Sequence, residues 1–306
     1  MNPYDYSPVN PRFNLHFNKT TRDWWRYTVD FPVAQPTCYV ENNTARGEYF
    51  QPRRDGNGML AILLHGWGDR SAIPCRLLAR ALVRKGIACF ILYTAFHSSR
   101  MPEEIKNKRS KLTSEDWFEG YRVSVIDVRQ IVDWAASRDE INEGQIAVIG
   151  ISLGGFIAAI SMGVDRRISA GVFLLAGGNY ENPVWTRKKQ ENGKEAENLE
   201  ALNQYRRYLA EVAERGFASV IPVKKSYLTD PMTFAGYIRE RPVMMLNALR
   251  DEMIPKQATL DLWQAYGEPE IKWYPTGHAS LWLLYPFVRK RIADFLGSTF
   301  KSSVKL

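Results

Sequence analysis

Gln145-Ile146-Ala147-Val148-Ile149-Gly150-Ile151-Ser152-Leu153-Gly154-Gly155-Phe156 joins two patterns through one turn. Residues 145–149 are an apolar run with the length and composition of a buried strand. Residues 152–162 carry the small and apolar side chains of a helix, with Gly163 placed to stop it. Between the two stands G-x-S-x-G, made by Gly150, Ser152 and Gly154. A strand that turns into a helix over so few residues must fold its backbone sharply. Glycines two residues either side of the serine leave room for that fold, and Gly155 allows close helix packing. The turn lifts Ser152 Oγ above the sheet at the helix N-terminus, where the positive end of the helix dipole favours a developing anion. A chance G-x-S-x-G in a chain with 21 glycines would not account for the strand and helix on its flanks.

Working outward, the same alternation repeats. Residues 28–33 and 46–51 read as half-buried antiparallel strands at the entry to a sheet. Strand patterns at 59–64, 87–93, 145–149, 171–175, 243–247 and 270–274 then alternate with helical patterns at 73–82, 120–137, 152–162, 256–266 and 281–296, the last ended by Gly297. Unbroken apolar strands separated by helices indicate a parallel sheet covered on both faces. The expected fold class is α/β, a mostly parallel, doubly wound sheet of about eight strands. One interruption, residues 179–241, is about ten times a usual connection. It is rich in Lys, Glu and aromatic residues and reads as an inserted helical cap between the sixth and seventh strands. The whole chain, 1–306, reads as one domain carrying that insertion.

A serine is a poor nucleophile until a base takes its proton. Of the four histidines, only His278 follows the turn, directly after the last strand pattern and behind Gly277. His16 lies in the polar N-terminal segment, ahead of the expected sheet. A carboxylate must then orient the imidazole. Asp251 comes four residues after the strand pattern 243–247; Glu252 is its rival, expected to face solvent, and Asp230 is a weaker alternative within the insertion. An oxyanion needs backbone N–H donors, expected from Leu153 and from Trp67 in the His65-Gly66-Trp67-Gly68 loop, with His65 holding that loop. His97 and Arg100, in the loop after strand 87–93, are candidate contacts for an acidic substrate, against a plainer role in holding the loop.

Composition narrows the classes further. The chain is 45% hydrophobic and 24% charged, ordinary for a globular enzyme, and its net charge is +8. The basic residues are scattered. Their one dense cluster, Lys106, Lys108, Arg109 and Lys111, is flanked by Glu103, Glu104, Glu115 and Asp116, which points to a solvated loop rather than a nucleic-acid or membrane surface. The charge blocks at 187–190 and 195–200 read as exposed helical faces. No apolar run approaches the ~18 residues of a spanning helix, and the N-terminus lacks the pattern of a signal peptide. Cys38, Cys75 and Cys89 stand far apart, so no disulfide framework or metal pair is indicated. A cytoplasmic location without nucleic-acid or membrane partners is the expectation. Neither G-x-G-x-x-G after the first parallel strand nor G-x-x-x-x-G-K-[ST] is present, which argues against a nucleotide-binding oxidoreductase.

With the chain order Ser152, Asp251, His278, the sequence resembles the α/β-hydrolase superfamily across roughly residues 46–300, nearest to its dienelactone-hydrolase-like and acyl-esterase-like members. The resemblance implies an eight-stranded sheet, an acyl-enzyme intermediate, no cofactor or metal, and a lid formed by the segment between the sixth and seventh strands. HGWG stands where the hormone-sensitive-lipase branch has HGGG, so a preference for bulky tertiary-alcohol esters is not implied. A serine nucleophile argues against a true dienelactone hydrolase, a haloalkane dehalogenase or an epoxide hydrolase. Three functions stay open at this level: a carboxylesterase acting on small esters, a small-peptide or amide hydrolase of prolyl-oligopeptidase type, and a ligand-binding member without catalysis.

Overall fold

The computed structural model describes residues 2–7, 12–54, 56–69, 71–107, 112–185 and 195–301. Nine strands form one sheet: β1 (Asn14–Thr20), β2 (Trp24–Pro32), β3 (Thr44–Pro52), β4 (Leu60–Leu64), β5 (Ala88–Tyr93), β6 (Ile146–Ile151), β7 (Ile168–Leu174), β8 (Val243–Ala248) and β9 (Glu270–Tyr274). Their spatial order is β1-β2-β3-β5-β4-β6-β7-β8-β9. β1, β2 and β3 pair antiparallel, β3 also runs antiparallel to β5, and every pairing from β5 to β9 is parallel. The strand beyond the eight expected is β1. It sits at the sheet edge with almost every residue exposed, so it lacks the apolar signal that marks a buried strand. His16 accordingly belongs to the sheet, where its Nε2 lies 2.9 Å from Asp30 Oδ1.

The helices are α1 (Ile73–Val83), α2 (Glu103–Asn107), α3 (Ser114–Ala136), α4 (Leu153–Val164), α5 (Glu195–Arg215), α6 (Lys256–Ala265) and α7 (Tyr285–Lys301). α3 starts cleanly because Thr113 and Asp116 form a reciprocal capping box. Strands such as β4, Leu-Ala-Ile-Leu-Leu, are buried on both faces. Alternate side chains therefore feed two cores. One core gathers apolar residues of α3, α4 and α6; the other lies beneath α1 and α7.

Two expected helix stops lie inside helices. Gly163 sits within α4, where a Cβ would come 2.4 Å from Phe234 Cβ, so its lack of a side chain serves packing. Gly297 sits within α7, which runs on to Lys301.

The insertion falls between β7 and β8, one strand later than expected because β1 shifts the count. Its 3-10 turns Lys225–Thr229 and Pro231–Tyr237 pack on α3, α4 and α6. The insertion thus thickens one face of the sheet. Its rings meet each other: Tyr205 and Tyr227 centroids are 4.6 Å apart, Tyr208 and Tyr227 5.1 Å, Phe217 and Phe234 5.0 Å. Buried Asp230 ties its ends by accepting the N–H groups of Asn179, Tyr180 and Met232. Residues 187–190 and the cluster members Lys108, Arg109 and Lys111 lie outside the described residues.

Candidate active site

Ser152 occupies the turn between β6 and α4 with φ 52° and ψ −119°, a conformation that non-glycine residues rarely adopt. The glycines around it answer to crowding. A Cβ on Gly150 would lie 1.9 Å from Gly154 O, and one on Gly154 would lie 2.4 Å from Leu64 O. Neither position can carry a side chain without moving β4 or the first turn of α4. The Ser152 N–H donates to Leu174 O at 2.8 Å, which pins the turn to β7.

His278 follows β9 and reaches across the C-terminal edge of the sheet. Its Nε2 lies 3.0 Å from Ser152 Oγ, and its Nδ1 lies 2.9 Å from both oxygens of Asp251. The Asp251 carboxylate is itself held, its Oδ1 accepting the N–H groups of Met253 and Ile254 at 2.9 and 2.8 Å. With Nδ1–H donated to the carboxylate, Nε2 presents a lone pair to the serine hydroxyl, the tautomer a general base requires. Of the three carboxylates weighed in the sequence, Asp251 is the one beside the imidazole. Asp230 is buried in the insertion, and burial pushes its carboxyl up to about 6.

Glu252 faces solvent as expected, yet it has a task that spacing does not reveal. Its Oε2 accepts the backbone N–H of His278 at 3.0 Å, and this bond holds its carboxyl below the usual range. A Cβ on Gly277 would lie 2.7 Å from the same oxygen, so the glycine before the histidine makes room for the contact.

Trp67 and Leu153 flank the serine. Gly66 brings the loop after β4 against it, since a Cβ there would lie 3.5 Å from Ser152 Cβ. Neither Trp67 N–H nor Leu153 N–H donates to an acceptor among the described residues. His65 is fully buried and staples the loop: its Nδ1 is 3.0 Å from Gly66 O, and its Nε2 accepts the Thr94 N–H at 3.2 Å. Burial lowers its pKa, consistent with a neutral ring making both bonds.

Arg100 has no exposure to a substrate. It donates to Asp127 Oδ2 at 2.7 Å, Tyr93 O at 2.9 Å and Asn42 O at 2.9 Å, and so fixes the loop that carries His97. His97 is buried in that loop, its ring edge-on to the Trp67 indole at 4.5 Å.

The serine opens into a groove of about 350 Å³ lined by Trp67, Asp69, Ile73, Leu175, His278 and Trp282 among others. No described residue of 179–241 lines it. The insertion instead packs alongside α4, where Tyr180 meets Phe156 at 5.8 Å. Among the described residues, no group of His, Cys, Asp and Glu is arranged to hold a metal ion, and no helix is long and apolar enough to cross a membrane.

Comparison with known proteins agrees with this architecture. The model of the family described as alpha/beta hydrolase domain containing 18 matches residues 35–212, which include Trp67 and Ser152 and end before Asp251 and His278. An uncharacterized protein of Mycobacterium tuberculosis (strain H37Rv) is 24% identical over 179 residues, 56% of this chain and 36% of its own length. The chain thus spans about a third of the curated relative it matches. Among solved structures, an acetyl xylan esterase from Paenibacillus sp. R4 superposes with a TM-score of 0.66 at 19% identity, covering 96% of this chain and 90% of that one. Acetyl xylan esterase 1 from Thermoanaerobacterium sp. JW/SL YS485 gives 0.62 at 18%, covering 90% and 87%. A cold-adapted esterase from an Arctic intertidal metagenomic library gives 0.58 at 16%, covering 91% and 98%. At these identities the solved structures establish the fold, and the family match over more than half of the sequence establishes the kinship: the chain belongs to the alpha/beta hydrolase domain containing 18 family and has the α/β-hydrolase fold.

Proposed function

We propose that this protein is a serine hydrolase that cleaves small carboxylic esters through an acyl-enzyme on Ser152. The observation that carries the proposal is the unbroken chain Ser152 Oγ, His278 Nε2, His278 Nδ1, Asp251, with links of 3.0 and 2.9 Å, at the edge of an open groove. In this reading Ser152 Oγ attacks the ester carbonyl while His278 Nε2 takes its proton, and Asp251 stabilises the imidazolium. The tetrahedral oxyanion is held by the N–H groups of Trp67 and Leu153. The imidazolium returns its proton to the departing alcohol oxygen as the C–O bond breaks, leaving acylated Ser152. Water, deprotonated by His278, attacks the acyl carbon, and collapse of that second intermediate frees the acid and restores the serine.

The cycle needs only these side chains and backbone donors. The printed names of the structural neighbours, acetyl xylan esterases and a cold-adapted esterase, agree with ester chemistry on this fold. A narrow cleft lined by Trp67 and Leu153 adjoins the groove, and this reading takes it to favour short acyl groups. The described residues of the insertion act in this reading as a side layer supporting α4.

The test is a panel of p-nitrophenyl esters from acetate to palmitate, with fluorophosphonate labelling of the wild type and of Ser152→Ala. Hydrolysis that is fastest at short chains, and labelling that vanishes in Ser152→Ala, are the expected results. EDTA should leave the rate unchanged. Wild-type labelling by Ser152→Ala would overturn the assignment of the nucleophile.

A further inference from the structure

Exposed apolar side chains scattered singly over a surface need no account, but three of them converge on the nucleophile. Trp67, Ile73 and Trp282 are 48%, 54% and 37% exposed, and all three line the groove into which Ser152 opens. The Trp67 ring is engaged by His97 at 4.5 Å and by Trp117 at 4.6 Å, beside the narrow cleft that reaches Leu153. Ile73 and Trp282 come from two other elements around the groove, the start of α1 and the 3-10 turn Ala279–Leu284 that follows His278.

Both are held in place from behind. Leu281, fully buried in the core beneath α1 and α7, anchors the 3-10 turn and leaves its neighbour Trp282 at the surface. The Trp282 and Tyr285 rings meet in an edge-to-face arrangement at 4.9 Å, and buried Tyr285 donates its hydroxyl to Pro74 O at 2.7 Å. Pro74 is the neighbour of Ile73 and also lines the groove, so one tyrosine ties the two walls together. The entry to α1 is fixed as well, because Asp69 Oδ1 accepts the N–H groups of Ser71 and Ala72 at 3.2 and 2.9 Å, with Ala72 in a left-handed conformation at φ 48°. Apolar area presented by side chains already held in position costs little ordering entropy when a ligand covers it.

We propose that Trp282 and Ile73 form the subsite for the leaving alcohol, and that the preferred substrates are short-chain esters of apolar, ring-bearing alcohols. The proposal rests on the esterase reading. In that cycle His278 Nε2 gives its proton to the alcohol oxygen as the C–O bond breaks, so the alcohol stands on the side of His278. The residues that line the groove next along the chain from His278 are Ala279 and Trp282. The acyl group is left to the cleft beside Trp67 and Leu153, whose N–H groups hold the carbonyl oxygen. A ring laid against the indole removes apolar area of both partners from water and gains the offset or edge-to-face contact that aromatic pairs prefer. The alcohol is still attached in the transition state for acylation, so that gain enters kcat/KM.

The experiment holds the acyl group constant and compares benzyl acetate with ethyl acetate, each rate divided by its hydroxide-catalysed rate to remove intrinsic reactivity. The wild type should favour benzyl acetate at least about tenfold in kcat/KM, and Trp282→Ala should lower that ratio roughly fivefold or more. Trp282→Phe, which keeps a ring, should retain most of the preference, and Ile73→Ala should remove part of it, which keeps the proposal testable if Trp282→Ala does not fold. A displacement of His278 caused by the substitution would slow both esters alike and leave the ratio where it was. A wild-type ratio near 1, or a ratio unchanged in both alanine variants, would overturn the proposal. So would a Trp282→Ala variant in which the acyl-length profile shifts while the alcohol ratio does not, since Trp282 would then serve the acyl side. Continued Ser152-dependent hydrolysis of ethyl acetate in these cases leaves the esterase reading standing. Failure of that reading is recognised separately, by the absence of Ser152 labelling and of hydrolysis of both esters.

Discussion

Ser152, His278 and Asp251 come from three different turns, and each is fixed by a contact beyond the other two. The Asp251 carboxylate accepts two backbone N–H groups as well as the imidazole, so its orientation survives the loss of charge. Asp251→Asn should therefore fold normally and lower kcat by up to about 10⁴-fold with little change in KM, because it upsets the tautomer of His278 rather than substrate binding. Steady-state kinetics beside a thermal melt would check both halves of that statement. Glu252 acts one step further out, on the backbone of His278. Glu252→Gln keeps an acceptor oxygen and should be mild. Glu252→Ala frees the loop, and should cost roughly tenfold in kcat through misplacement of the base. Equal rates for the two variants would show that the contact does not position His278.

At the scale of elements, two glycines once read as equivalent helix stops should respond in opposite ways. Gly163 in α4 faces Phe234 of the insertion so closely that a methyl group must displace it, and Gly163→Ala should destabilise by about 1–3 kcal/mol. Gly297 in α7 has nothing within reach of an added Cβ, and Gly297→Ala should stabilise by about 0.5–1 kcal/mol through the lower entropy of the unfolded chain. Chemical denaturation of both variants would test the pair. The insertion itself holds its aromatic rings against one another and against α4. Trp185 bonds back to Gly178 O and Asn179 O, and the Tyr237 hydroxyl accepts the Phe217 N–H. Trp185→Ala and Tyr237→Ala should thus lower the melting temperature while leaving the acyl-length profile unchanged. A shifted optimum in either variant would make the insertion a selector of substrate after all.

At the scale of the whole molecule, two buried groups, His97 and Asp230, bear on stability against pH with opposite sign. His97 has its folded pKa lowered from 6.5 to about 4, so between those values the unfolded chain binds more protons and stability falls on acidification. Asp230 has its carboxyl raised from 3.8 to about 6, so across that window the folded chain binds more protons and stability rises on acidification. The two largely offset in the wild type, each acting at no more than about 1.4 kcal/mol per pH unit. His97→Gln removes the first contribution. Its stability relative to the wild type should rise as pH is lowered from 6.5 to 4, read from urea midpoints at three pH values. A constant difference across that range would mean that His97 is not held neutral by burial.

The sequence alone determined the parallel core of the sheet and the strand-to-helix turn that carries Ser152, because both leave local marks. β4 to β8 are continuous apolar runs, and the turn at Ser152 requires small residues at fixed spacing in a strand-to-helix setting. His278 was legible because it was the one histidine after the turn. β1 was not, since an exposed edge strand has no apolar face to announce it. Only the tertiary structure decided what depends on partners distant in the chain. That Gly163 answers to Phe234, that Glu252 holds the His278 backbone, and that Arg100 is consumed by Asp127 are consequences of proximity in space. The placement of the insertion's described residues beside α4 is of the same kind. Their aromatic content indicated burial, but a ring can bury itself against a substrate, a neighbour or a helix with the same gain, and only packing chooses among them.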